Sequence, residues 1–414
     1  MSDPSEPAGP LDPAGPLDSV DSAAPAEAAS QRFSPLHEAH LAAGASFTDF
    51  AGWQMPVRYT SDLAEHHAVR TAAGLFDLSH MAEIVVLGPA AAQGLDYALA
   101  GTPSAQAVGQ AKYTLILSAS GRVVDDVVVY RTGDDRFLIV ANAANHESAA
   151  DALRERLADF DANVYDESDD VALLAIQGPR AQQILLETPG FQIEGGHPDG
   201  SDVAERLGAL KYYWSLAGLF RGQPVLVART GYTGEDGFEL YTSPDRAPEL
   251  WDALLEAGAP HGLVPAGLAS RDTLRLEAGM PLYGQELGLG TYPVQAGLGR
   301  VVNLSKTGDF VGRQATEEGP AADAWVLVGL VAEGKRAARS GYDIFGDAAP
   351  SDAAAPPIGI ITSGALSPTL GHPVAMGYLG PRHARIGTVV SVDIRGKRLD
   401  YTVTELPFYR RKKN

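Results

Sequence analysis

The chain has 414 residues, 45% hydrophobic and 20% charged, enough for about two or three domains with buried cores and incompatible with a wholly disordered polypeptide. A formal net charge of -20 repels phosphate backbones and sets nucleic acid aside as a partner. The chain contains no cysteine, which excludes disulfides, thiolate nucleophiles and cysteine-held zinc; no apolar run approaches the roughly 20 residues of a membrane span, so a soluble, cytoplasmic protein is expected.

Residues 1–32 read as a disordered acidic tail. Positions 1–31 hold no Lys, Arg or aromatic residue, and the hexamer PAGPLD occurs twice in tandem, at 7–12 and 13–18. The tail lacks the basic start and apolar centre of a secretory signal and the arginines of a mitochondrial transit peptide.

From Phe33 onward the composition is globular. His37 and His40 stand three apart near a helix start and can share a face, whereas His66 and His67 are adjacent within a helix expected at 62–73. Neither pair has a third ligand nearby, so both read as surface or capping histidines, and no metal is expected. Strands follow at 83–87, 113–117, 123–130 and 137–141, then a helix at 146–159.

The segment GRVVDDVVVYR, residues 121–131, sets two carboxylates in an otherwise apolar strand. Alternation puts Val124, Asp126, Val128 and Tyr130 on one face and Asp125 on the other, so one acid is expected to be buried. A buried carboxylate needs partners, and a perturbed acid in a cavity is a functional candidate. An edge strand with both acids solvated or paired with arginine is the alternative.

In RTGYTGEDGFEL, residues 229–240, three glycines and two threonines make a tight connection before Glu239. It suits a turn or a close backbone approach to a ligand, and by itself reads as a turn. Helices are expected at 248–257 and 268–278. The second carries Arg271 and Arg275 one turn apart. An arginine near a helix start opposes the dipole, so Arg271 calls for an anionic ligand or a buried acid; a local ion pair with Asp272 or Glu277 suits Arg275 better. Mixed helices and strands give an α+β chain.

The region 324–414 is strand-rich, with strands at 325–331, 358–362, 388–394 and 398–404, an Ala/Pro/Asp-rich loop at 341–357, and the look of a small β-barrel. Arg410, Arg411, Lys412 and Lys413 form a basic cluster that either steers an acidic partner or is a solvated end. Nucleophile-elbow, Walker and H-E-x-x-H signatures are absent, and Gly288-Leu289-Gly290 lacks the third glycine of a dinucleotide fingerprint.

Taken in order, SPLHEAH, FAGWQMPVRY, EHHAVRTAAGLFDLSHM, GRVVDD, NAAN, IQGP, RTGYTGEDGFEL, RDTLRLEAGMPLYGQE, ITSGALSPTLG and PFYRR resemble the tetrahydrofolate-dependent aminomethyltransferases, the T proteins of the glycine cleavage system. The resemblance covers nearly the whole chain after the tail. It implies three domains in a cloverleaf around a central folate cavity: two intertwined α+β domains within 33–318 and a C-terminal β-barrel at 324–414. It implies that Asp126 is catalytic, beside the reactive folate nitrogens, with Val128 and Tyr130 lining the cavity. Glu239 and Arg271 match positions that hold the folate, and Tyr113, Asn142 and Tyr232 match residues lining its site. Met81, Tyr409 and Arg410 match positions in the cavity or at its mouth. Ala269-Ser270 stands before Arg271 where Gly-Ala or Ala-Ala is usual.

The reaction implied moves the methylene of an aminomethyl group on the lipoyl arm of H protein to tetrahydrofolate, releasing ammonia, without a metal. Asp126 then either stabilises the cationic carbon left by ammonia or manages a proton on a folate nitrogen. The partner implied is lipoylated H protein, and the chain itself is expected to be a monomer. Two relatives compete. Iron-sulfur assembly factors of this fold carry a cysteine in K-G-C-Y-x-G-Q-E, which residues 279–286 lack. Folate-dependent demethylases usually carry a flavin domain, for which this chain has neither the length nor the fingerprint, although a stand-alone partner subunit is compatible.

Overall fold

Short apolar runs bounded by turn residues can bury their faces only against one another, and here they assemble into four β-structures. In a computed structural model of the protein, which describes residues 31–195, 202–346 and 356–411, these are sheets of three, five and seven strands and a closed six-stranded barrel. Helices pack on the sheets, giving the expected α+β class.

The five-stranded sheet runs Ala111–Leu117, Val123–Arg131, Arg136–Ala141, Ala82–Leu87, Asn163–Asp166, antiparallel throughout. Helices Ala91–Ala98 and His146–Leu157 cover one face, enclosing Ile84, Val127, Ile139 and Leu153. In the seven-stranded sheet, strands Gly237–Thr242, Ala172–Gln177 and Ala73–Asp77 are neighbours. Its outer face is covered by helices Ala181–Glu187 and Ala247–Gly258, with Trp251 fully buried beneath. The remaining faces meet each other: Val85, Leu138 and Val140 of the first sheet pack with Leu173, Ala175 and Tyr241 of the second.

Alternation along Val123–Arg131 is broken once. Ile116 opposes Asp125 and Leu117 opposes Val123, leaving Val124 as the extra residue of a β-bulge. A bulge re-aims side chains. Val123 packs with Leu115 and Leu117, while Val124 joins Ile116, Val127 and Val129 in the core below. The expectation that Val124 shares the face of Asp126 therefore fails, whereas Asp126, Val128 and Tyr130 do share one.

The helix expected at 62–73 ends at Thr71, and Ala73–Asp77 is a buried central strand. Ser61 caps that helix, accepting from the Ala64 N–H at 3.1 Å. Helix Leu268–Glu277 bridges the parts of the molecule. At its start, a Cβ on Gly267 would stand 2.4 Å from the Val57 carbonyl, so only glycine lets strand Trp53–Arg58 run against it. Near its end, Leu276 packs with Ala365, Val374 and Met376 of the barrel.

The barrel closes in the order Val326–Val331, Pro373–Leu379, Gly359–Leu366, Asp343–Phe345, Val389–Ile394, Lys397–Thr404. Two of these strands, Pro373–Leu379 and Asp343–Phe345, were not expected, and the second lies in the stretch read as a loop at 341–357. Residues 347–355 of that stretch, residues 1–30 of the expected tail, and Lys412 and Lys413 lie outside the described residues. Arg32, expected in the tail, instead begins a strand, Arg32–Phe33, that pairs in parallel with Trp53 and Gln54. Among the described residues no helix is long and apolar enough to cross a membrane.

Candidate active site

Where the two sheets face each other, apolar contact gives way to a cavity of about 360 Å³, within the usual range for small-molecule sites. The five-stranded sheet contributes Tyr113, Asp126, Val128 and Tyr130; the seven-stranded sheet contributes Glu239 and Tyr241. Asn142 enters from the turn after Arg136–Ala141, Tyr232 from the glycine-rich loop, Arg271 from helix Leu268–Glu277, and Met81 from the turn before Ala82–Leu87. Met280 to Tyr283 also form part of the wall.

Asp126 is half-buried and lines the cavity. Its Oδ2 accepts from the Tyr113 hydroxyl at 3.0 Å and its Oδ1 from the Asn142 amide at 2.8 Å. Among the described residues no Lys, Arg or His forms an ion pair with it. Burial pushes its carboxyl above the ordinary range, against the pull of the Tyr113 and Asn142 hydrogen bonds.

Glu239 lies across the cavity, and its Oε2 accepts from the Thr230 hydroxyl and from Tyr130 at 3.3 Å. Tyr241 donates to Tyr130 at 3.1 Å, so hydroxyls line that wall in series. Among the described residues Oε1 of Glu239 takes no hydrogen bond. The loop before Glu239 is shaped by Gln177, whose amide donates to the Thr230 carbonyl at 3.0 Å and accepts from the Thr233 hydroxyl at 2.9 Å. A Cβ on Gly231 would meet the Gln177 Oε1 at 2.0 Å. The close approach that the glycines permit is thus to this side chain.

Arg271 lies over the Tyr232 ring, 4.9 Å from its centroid, and its Nη1 is buried without a hydrogen-bond partner. It forms no ion pair among the described residues. Burial lowers its proton affinity while the Glu239 charge raises it. His80 lines the same cavity with Nδ1 buried and unpartnered, and burial lowers its pKa to about 4, so the ring is neutral at physiological pH. Arg275, one turn on, is satisfied in full: Asp272 at 2.9 Å, Glu286 at 2.9 Å and Ser363 at 2.7 Å.

Tyr409 and Arg410 are not part of the cavity wall. The Tyr409 N–H donates to the Glu277 carbonyl at 2.8 Å and its ring lies 4.0 Å from the Arg70 guanidinium, at the contact with the barrel. One histidine of each pair is also placed differently from expectation, while His67 is exposed and His37 half-buried at a helix start. His40 is fully buried between Asp77 Oδ2 at 2.8 Å and the Tyr59 hydroxyl at 2.9 Å; His66 is fully buried between Thr273 and Thr369, each at 2.8 Å. Among the described residues no group of three His, Asp or Glu is arranged to hold a metal. Sequence reasoning missed Tyr241, although alternation from Glu239 puts it on the same face. Nothing in the pattern pointed to Met280 to Tyr283, which approach the cavity without regular structure.

Two parts of the chain match separate family models: residues 36–306 match the GCVT N-terminal domain and residues 326–410 the glycine cleavage T-protein C-terminal barrel domain. An aminomethyltransferase of Cutibacterium acnes is 55% identical over 380 residues, 92% of this chain and 99% of that protein. One from Saccharopolyspora erythraea is 52% identical over 385 residues, 92% and 99% of the two chains. The crystal structure of glycine cleavage system aminomethyltransferase T from Bartonella henselae superposes with a TM-score of 0.80 at 34% identity, covering 93% of this chain and all of that one. The chain belongs to the aminomethyltransferase family of enzymes, the T proteins of glycine cleavage.

Proposed function

We propose that this protein transfers the methylene of the aminomethyl group on the lipoyl arm of H protein to tetrahydrofolate, forming 5,10-methylenetetrahydrofolate and releasing ammonia. The observation that carries the reading is three polar groups left unmatched, among the described residues, around one cavity: Asp126 without an ion pair, Glu239 with a free oxygen, and Arg271 without an ion pair. A reduced folate complements all three. Its aminopyrimidine edge offers donors to Glu239, its carbonyl or carboxylate oxygens offer acceptors to Arg271, and its flat ring fits the wall of Met81, Tyr113, Val128, Tyr130 and Tyr232. Bound there, the folate supplies the nitrogens that take up the carbon.

Asp126 stabilises the positive charge that develops on the carbon as ammonia departs; its carboxyl, raised by burial, is also suited to hold a proton during the transfer. Tyr113 and Asn142 hold both oxygens of that carboxyl in place, so little reorganisation is needed as charge develops. The walls exclude water from the reacting carbon. H protein docks at the cavity mouth, with Arg410 and Arg411 steering it from outside, and the enzyme works as a cytoplasmic monomer. The test is ammonia release from aminomethyl-loaded H protein. Tetrahydrofolate is expected to accelerate it strongly, and release indifferent to tetrahydrofolate overturns the proposal.

A further inference from the structure

Asp125 and Asp126 are consecutive in the chain but occupy opposite sides of the sheet: Asp126 in the cavity wall, Asp125 with no exposed surface beneath it. One side chain touches both. The Asn142 amide nitrogen donates to Asp125 Oδ1 at 2.8 Å and to Asp126 Oδ1 at 2.8 Å, and lies 3.2 Å from the Asp126 carbonyl. All three neighbours are acceptors, so the nitrogen and not the oxygen of the amide must face them. Asp125 also takes the Asn142 backbone N–H on Oδ2 at 3.1 Å and the Asn145 amide on Oδ1 at 2.6 Å. Its carboxyl thereby anchors the main chain and the side chain of Asn142 together. Among the described residues the Asn142 Oδ1 takes no hydrogen bond, and Asn142 lines the cavity.

We propose that Asp125 is a positioning residue for the reaction: through the Asn142 amide it fixes the direction of the Asp126 carboxylate and turns the Asn142 carbonyl oxygen toward the cavity as an acceptor. The inference rests on the reading of Asp126 as the group facing the reacting carbon. Packing alone does not account for an acid at this place, since a buried carboxylate is costly and, among the described residues, no cation offsets it. The groups that face it are Asp126 on its own strand, Asn142 and Asn145 on the turn, and Tyr283 from the segment at the cavity wall. None is basic. Burial, then the Asp126 charge, push Asp125 up to about 7 against the pull of the asparagine hydrogen bonds. Asp125 therefore gains its charge, the second of the pair, near neutral pH.

Asp125→Asn keeps size and one acceptor but presents N–H groups where Asn142 already donates, so Asn142 must turn. The expected result is a kcat for ammonia release about 10- to 100-fold lower, with a smaller change in KM for tetrahydrofolate. The wild-type rate rises as pH passes about 7, because the second charge strengthens the field on the developing cation, and this rise is lost in Asp125→Asn. Retention of the wild-type kcat and of the neutral limb overturns the proposal. Carbon-13 NMR of the aspartate carboxyls supplies a readout free of turnover: Asp126→Asn lowers the Asp125 midpoint by removing its neighbour's charge. An unmoved midpoint also overturns the coupling. A wild-type enzyme without tetrahydrofolate-dependent ammonia release sinks the proposed reaction instead, and the NMR arm then decides the Asp125 question alone.

Discussion

Two clusters of buried charge sit along helix Leu268–Glu277, and the fold treats them in opposite ways. At the C-terminal end, Glu277 accepts from Arg70 at 2.9 Å, from the Thr369 N–H at 3.0 Å and hydroxyl at 2.7 Å, and from Ser367, with His66 at 3.2 Å. Arg70 continues to Glu235 at 3.0 Å and to the Thr233 carbonyl at 2.7 Å. This junction ties the barrel to the rest of the molecule and leaves none of these charges unmatched. Near the N-terminal end, among the described residues, Arg271 forms no ion pair, and across the cavity neither Glu239 nor Asp126 forms one. Burial of charge is common to both clusters; incomplete pairing belongs to one. It is the incompleteness that points to a ligand, because a fold gains nothing from an unpaired buried charge.

The sharpest way to break the comparison is Asp126→Asn. The substitution preserves shape and still offers Tyr113 an acceptor, so the thermal midpoint is expected to move by only a few degrees. Turnover is expected to fall by about 10³-fold or more, the scale of losing a preorganised charge at a reacting centre. Single-turnover ammonia release beside thermal denaturation separates the two effects. A variant that loses stability along with activity moves Asp126 into the class of the junction.

How far this division was legible in the sequence depends on the range of the contacts. Alternation along one strand put Asp126, Val128 and Tyr130 on a common face, and the helix dipole singled out Arg271; both are local arguments, and all four residues line the cavity. The bulge at Val124 was hidden because no Gly or Pro marks it. The junction was invisible for a different reason: Glu277 and Ser367 are 90 positions apart, and Arg70 and Glu277 are 207 apart, so no period or motif links them. In the barrel, strand Pro373–Leu379 opens on a proline and contains Gly377, and Asp343–Phe345 has three residues. Neither offers an alternating run long enough to read.

Glu277→Gln tests the other side of the comparison. Burial pushes the Glu277 carboxyl up, but hydrogen bonds from His66 and Ser367 and the charges of His66 and Arg70 outweigh it and bring the pKa to about 2. A folded pKa below the unfolded value stabilises the fold above the unfolded pKa of about 4.3, and that stability is lost as pH falls through the folded value of about 2. The contribution is at most about 3 kcal/mol and smaller at neutral pH, where His66, its own pKa lowered by burial, is uncharged and Arg70 and the hydrogen bonds carry it. Urea denaturation of Glu277→Gln at pH 7 is expected to show a loss of about 1–3 kcal/mol, and the acid limb between about pH 4 and 2 is expected to flatten. Tetrahydrofolate affinity of the folded protein is expected to stay near wild type. A variant as stable as wild type shows the junction to be dispensable.

Arg271→Met is expected to do the reverse. Titration calorimetry should show tetrahydrofolate bound about 10- to 100-fold more weakly, the effect of losing a hydrogen bond from a charged donor. The ligand-free protein should be no less stable than wild type, because an unpaired guanidinium has been replaced by an apolar chain of similar length. Loss of stability without loss of affinity places Arg271 with Arg275 as a structural residue.

The smallest effect is expected at Tyr409, where the family resemblance and the geometry diverge. The resemblance assigns this residue to the cavity or its mouth, yet its ring is against Arg70 and its N–H is bonded to the last residue of helix Leu268–Glu277. A cation–π contact of this kind contributes about 0.5–1 kcal/mol. Tyr409→Leu keeps the backbone hydrogen bond and loses that contact and the hydroxyl's hydrogen bond to Glu235, so a drop of about 1–2 kcal/mol in unfolding free energy is expected, with tetrahydrofolate affinity and ammonia release unchanged. If the variant binds tetrahydrofolate several-fold more weakly at unchanged stability, Tyr409 reaches the ligand in the bound state. The division between a satisfied junction and an unsatisfied cavity would then have to be redrawn with Tyr409 and Arg70 on the side of the cavity.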